Sequence, residues 1–126
     1  MNLRVGSRIP LYRSAIGWAY LASGAGGERD LALAEAGAPG PEALQAFQDA
    51  VDLYDERGFV IHCRPQHPVN TVATAIVVQG NDRYAISCGG PASALPVEAI
   101  LDEIGPALVK LAAELQPIFL LGRRYA

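Results

Sequence analysis

Apolar positions recur at two different spacings along this chain, and the change between them divides it. The first thirteen residues read as a loop or short strand with Pro10 as its stop. From Ser14 to Ala22, SAIGWAYLA reads as a helix with Ser14 as its N-cap. Gly24–Gly27 interrupts it, and a short helix is expected around Glu28–Ala36, ended by Gly37 and the Pro39-Gly40-Pro41 punctuation. Pro41 suits the first turn of the next helix, where its missing N–H costs nothing. That helix should run to about Arg57, with Leu44, Phe47, Val51 and Tyr54 on one face and Gly58 as its C-cap. The period then shortens. Phe59–Cys63, Asn70–Val78 and Arg83–Ser87 are rich in Val, Ile and Thr and read as strands. Gly80-Asn81-Asp82 joins the last two as a tight hairpin, and Gly89-Gly90-Pro91 ends the third. Val97, Ile100, Leu101, Ile104, Leu108, Leu111, Leu115 and Ile118 then form one apolar stripe, which predicts a long amphipathic helix kinked at Pro106. Helices, a meander of strands and a closing helix make an α+β fold, an antiparallel sheet with helices packed on it.

With 126 residues the chain suits one domain and one core. Hydrophobic residues are 51% and charged residues 18%, which excludes a disordered chain. The longest apolar runs, such as Ala73–Val78, stop far short of a membrane span, so no membrane partner is expected. A net charge of −3 lacks the basic footprint of a nucleic-acid binder, and Arg123-Arg124 is too small a patch to hold DNA. Two cysteines are too few for a disulfide framework, and the opening Met1-Asn2-Leu3-Arg4 carries no secretory pattern; both suit a reducing cytoplasm.

Candidate chemistry is sparse. His62-Cys63 and His67, with Cys88 elsewhere, are the residue types zinc prefers, but the spacing matches no zinc motif, and on a strand His62 and Cys63 point to opposite faces. No metal or other cofactor is therefore expected, and the two cysteines are expected to be small core residues. Ser14 and Ser87 lack a nucleophile elbow or a spaced base, so no enzyme is expected. Gly24-Ala25-Gly26-Gly27 lacks the strand and the Lys-Ser/Thr pair of a phosphate loop. Asp49, Asp52, Asp55 and Glu56 read as a solvated helix face. The heptad-like stripe of the last helix is expected to pack on the chain's own sheet, with pairing between subunits as the other use.

Three stretches in order carry a family resemblance: Val5–Ala22 (VGSRIPLYRSAIGWAYLA), Arg57-Gly58-Phe59, and Ala85–Ser93 (AISCGGPAS). Together with the closing helix they resemble the C-terminal effector-binding domain of IclR-type bacterial transcriptional regulators. The resemblance implies a GAF/PAS-like effector domain covering residues 1–126, with its opening strands and the family's N-terminal helix-turn-helix domain missing. The chain is then part of a longer regulator or a naturally truncated relative. Unpaired sheet edges would need covering, for which a second copy is the expected partner.

The resemblance also implies a site. In the family a small carboxylate-bearing metabolite sits between the sheet and the helix of the first motif, its carboxylate at backbone N–H groups of the helix start. Those positions fall on Ala15 and Ile16, and the side chains of the pocket fall on His62, Thr71, Ser87 and Gly89. Relatives carry an acidic residue at the position of His62, often a cysteine at Thr71, a second serine at Gly89 and a basic residue at Trp18. These departures favour a larger or aromatic acid over a very small one. The expected function is effector sensing, in which the acid shifts a DNA-bound oligomer between two arrangements and the DNA is held by the missing domain. The alternative is a free-standing small-molecule-binding or oligomerisation module without a transcriptional role.

Overall fold

Residues 69–79 form the centre of the molecule. The structure, a computed structural model, describes residues 5, 11, 13–24, 26–35, 40–64, 68–80 and 82–124. In it β2 (Val69–Gln79) lies between β1 (Val60–Arg64) and β3 (Asp82–Pro91), each pair antiparallel. Ahead of the sheet come α1 (Ala15–Ala22), α2 (Gly26–Glu35) and α3 (Pro41–Arg57). After it a short α4 (Val97–Ala99) leads through one π-turn, Ile100–Ile104, into α5 (Gly105–Arg124).

Alternation along the strands sorts their side chains onto two faces. Val60 and Ala73 point to one side, where they are buried with Ala15, Trp18 and Leu21 of α1 and with Phe47 and Val51 of α3. Val72, Ile76 and Val78 point to the other, where α5 covers them with Leu108 and Ala112, alongside Phe59 and Ile100. The sheet is thus the middle of three layers. β1 pairs only with residues 69–73, so residues 74–79 of β2 have no strand partner on that side; β3 has none on its outer edge among the described residues.

Local chemistry sets the element ends. The Ser14 hydroxyl accepts from the Gly17 N–H at 3.0 Å and caps α1. Pro41 opens α3, and Gly58 closes it in the left-handed region at φ 87°, its N–H bonded to the Tyr54 carbonyl. Gly80, at φ 57°, begins the hairpin turn; Asn81 lies outside the described residues, as does His67. Asp49, Asp52, Asp55 and Glu56 are all exposed, two of them taking hydrogen bonds from Gln45 and Gln48.

Four expectations need correction. The third strand does not stop at Gly89 but runs through both glycines to Pro91, held by pairing to residues 69–71. Cys63 and Cys88 are exposed: both lie on the outer strands β1 and β3, not on the central strand that the helices bury. Pro106 is met by the π-turn rather than by a bare kink. There the Gly105 N–H reaches back to the Ile100 carbonyl, and the widened turn leaves room for a ring that would collide in a regular helix. The apolar stripe of the last helix is divided: Leu108 is buried and Leu101, Ile104 and Leu115 are half-buried, but Val97, Leu111 and Ile118 are exposed. Leu44 on α3 is exposed as well. By length and composition Val97–Arg123 would be long and apolar enough to cross a membrane, yet one side of it covers the sheet.

Candidate functional site

The strand register brings the sequence-predicted side chains together. His62 of β1 stands opposite Thr71 of β2, which stands opposite Gly89 of β3. The three form one row across the sheet. One step along, Ser87 stands opposite Ala73, itself opposite Val60. Two-residue periodicity puts both rows on the face that α1 covers. His62 and Thr71 are half-buried, whereas Ser87 and Gly89 are exposed. A Cβ on Gly89 would stand 3.1 Å from the Thr71 hydroxyl, so glycine leaves that hydroxyl room on its neighbour's side.

α1 closes the row from above. Ala15 is buried against the same cluster as Val60 and Ala73, and Ile16 is half-buried beside it. Their N–H groups belong to the first turn, the positive end of the helix dipole, beside the Ser14 cap. Trp18 is buried, and its ring centroid lies 4.8 Å from that of His62 at a tilt of 46°. Indole and imidazole together make an aromatic wall at the β1 end of the row.

The other end of α1 is locked by residues that no motif pointed to. Arg83 is buried, and its Nε donates to the Tyr20 carbonyl at 2.9 Å while its guanidinium binds the Glu28 carboxylate of α2. The same guanidinium lies 3.8 Å over the Tyr20 ring. Arg83 thereby holds the Glu28 carboxyl below its usual range. Arg29 donates to the Leu21 and Ala22 carbonyls and caps the last turn. Nothing local announced either arginine: Arg83 alternates with Tyr84 and Ile86 and so sits on the polar phase of its strand.

Gly17 explains its own place in the motif. A Cβ there would lie 2.1 Å from the Leu11 carbonyl oxygen, so the Leu11 backbone lies directly on α1. Cys63 points away from His62, and among the described residues no three His, Cys, Asp or Glu side chains gather as metal ligands. Two clefts lie elsewhere. One, of about 580 Å³, is lined by Gln79, Pro117, Leu120, Leu121 and Arg123; the other, of about 290 Å³, lies between α5 and the unpaired stretch of β2.

No family model matches the sequence. Among curated proteins the chain is 25% identical over 122 residues to the HTH-type transcriptional regulator TsaQ1/TsaQ2 of Comamonas testosteroni, a match covering 92% of this chain and 44% of that protein. Its fold matches an IclR family transcriptional regulator from Brucella abortus with a TM-score of 0.83 and 28% identity, over 94% of this chain and 47% of that one. It also matches a double mutant of the PobR transcription factor inducer binding domain from Acinetobacter, solved as a complex with 3-hydroxybenzoic acid. There the TM-score is 0.69 and the identity 18%, over 90% of this chain and 69% of that one, a likeness of fold alone. The chain thus spans about half the length of the full regulators it matches. In motif order, sequence and fold it resembles the effector-binding domain of IclR-type transcriptional regulators.

Proposed function

We propose that this chain is the small-molecule sensing domain of an IclR-type regulator and that its effector is a small organic acid. The observation that carries the reading is the row His62–Thr71–Gly89 under the capped start of α1, with Trp18 against His62. A carboxylate needs N–H donors at a positive helix end, which Ala15 and Ile16 supply. The acid's remaining polar groups need hydroxyls, which Thr71 and Ser87 supply; His62 adds a ring nitrogen that can donate or accept. The Trp18–His62 wall and the missing side chain at Gly89 favour a ring over a two- or three-carbon acid. That an inducer-binding domain of the same fold was solved with 3-hydroxybenzoic acid supports an aromatic acid here.

In this reading residues 1–126 are one effector-binding domain. DNA is gripped by a segment outside the matched half, and acid binding shifts the balance between two arrangements of a cytoplasmic regulator. The locks at Arg83 and Arg29 fit that role, because a helix held firmly at one end passes a displacement at its other end to its neighbours.

The test is a thermal-shift and calorimetric screen with hydroxybenzoates, other aromatic acids and 2-oxo acids. An acid at a hundred times its dissociation constant stabilises the folded chain by about 2.7 kcal/mol. A specific shift should vanish in Thr71→Val and Ser87→Ala while both variants stay folded. A shift that both variants retain in full would place the acid elsewhere, and a folded chain indifferent to every acid would refute the reading.

A further inference from the structure

We propose that Arg83 and Glu28 are positioning residues of the acid site: their ion pair docks α2 on the domain and, through α1, sets where the first-turn N–H groups stand above the sheet. The acid in this proposal rests on the effector reading; the docking rests on geometry alone. Arg83, Ala85, Ser87 and Gly89 alternate along β3 and share the face that α1 covers. Arg83 and Ser87 are four residues apart, about 13 Å along the strand. The eight residues of α1 span about 12 Å. One helix length therefore separates the grip on the last turn of α1 from the positions read as meeting the acid at its first.

Packing by itself does not fix how far along the strands α1 sits. The helix carries no charged residue and most of it is buried, and apolar burial is non-directional. Direction comes from its last turn, where three successive carbonyls are taken by arginines. Tyr20 accepts from Arg83 Nε, and Leu21 and Ala22 accept from Arg29. Trp18 stands against His62 one turn before that grip, so any slide of α1 alters this ring contact as well.

The grip depends on α2. The Arg83 guanidinium lies 3.8 Å over the Tyr20 ring, and a Cβ on Gly24 would stand 2.8 Å from its central carbon. Gly24, which the sequence offers only as a helix interruption, is thus the clearance for this side chain. Arg83 is 2% exposed at its side chain, whereas Glu28, the carboxylate that binds it in a two-pronged pair, is 33% exposed. Without Glu28 a buried cation loses its counter-charge. The guanidinium then has to turn toward water, and the Tyr20 carbonyl is released with it. No described side chain of α2 is fully buried, so the polar contacts of Glu28 and Arg29 are what tie this helix down. Docking of α2 and the position of α1 are therefore one event. By linkage, an acid that prefers the docked position of α1 strengthens docking by the same factor by which docking strengthens acid binding.

The experiment compares the full chain with Arg83→Met and with Glu28→Gln, a milder change that keeps an acceptor for the guanidinium should Arg83→Met fail to fold. Gly58→Ala, destabilised at the end of α3, controls for a loss of stability alone. Trp18 is the one tryptophan of the chain, so its emission reports the contact with His62 directly. Emission should move to longer wavelength in both clamp variants, and amide exchange over residues 26–35 should quicken, with Gly58→Ala like the parent in both. Titration with 3-hydroxybenzoate and the other acids of the screen should show dissociation constants raised about tenfold in the clamp variants, and α2 exchange in the parent slowed by a similar factor on saturation. Folded clamp variants with parental emission and α2 exchange overturn the docking. Altered emission with unchanged acid affinity overturns the positioning role, as does an equal loss of affinity in Gly58→Ala. A parent chain that binds no acid refutes the effector reading and with it the link to an acid; the docking is then decided by emission and exchange, which need no ligand.

Discussion

Replacing Gly17 with alanine tests the reasoning about α1 because the usual effect has the opposite sign. Glycine inside a helix ordinarily costs about 0.5–1 kcal/mol relative to alanine, so Gly→Ala in a helix should stabilise. At Gly17 the new methyl would stand 2.1 Å from the Leu11 carbonyl oxygen and 2.3 Å from its Cα. Relief requires about 1 Å of separation between α1 and that backbone, and overpacking of this kind costs about 1–3 kcal/mol. Set against the helical gain, the net loss is about 1–2 kcal/mol. For 126 residues the unfolding entropy near 60 °C is about 0.26 kcal/mol/K, so the expected fall in Tm is about 4–8 °C. Gly27 is the internal control: it is exposed in α2, and a Cβ there meets nothing within 4 Å. Gly27→Ala should raise Tm by about 2–4 °C. Urea and thermal melts of the two variants beside the parent measure both. A Gly17→Ala protein as stable as Gly27→Ala would refute the close approach of Leu11 and the role given to the motif glycine.

Other outcomes follow from single contacts. Glu28 has its folded pKa held below the unfolded value by Arg83, so its contribution is present above the unfolded value and fades as pH falls through the folded one. Melts between pH 3 and 7 should show part of the acid-side loss of stability disappear in Glu28→Gln, which starts from a less stable protein at pH 7. Gly58→Ala forces a side chain into the left-handed region and should cost about 1 kcal/mol, read as a shifted urea midpoint with unchanged m-value. In Gly105→Ala the methyl would lie 2.5 Å from the Phe59 ring and 2.7 Å from the Ile100 carbonyl oxygen, so a loss of about 2–3 kcal/mol is expected in the same assay.

How much of the molecule the sequence by itself determined follows from which interactions are local. The capped start of α1 at Ser14, the proline start and glycine end of α3, the three strands and the exposed acidic face all rest on neighbours within about four residues, and each was legible in the chain. The row His62–Thr71–Gly89 was named from motifs, but that these residues are neighbours is a matter of strand register, which pairs residues 62, 71 and 89. Tertiary packing alone decided the rest. Periodicity marks the apolar stripe of the last helix without saying which part finds a partner, so only the structure separates buried Leu108 from exposed Leu111 and Ile118. Pro106 carried a local misfit that the fold meets with a π-turn, and Gly105 at the end of that turn packs closely on the Phe59 ring. Arg83 reads as an ordinary strand charge until α1 and α2 fold back across β3, because Tyr20 and Glu28 lie 63 and 55 residues from it in the chain. Short-range chemistry is written in the order of residues, whereas contacts across such separations exist only once the chain has closed on itself.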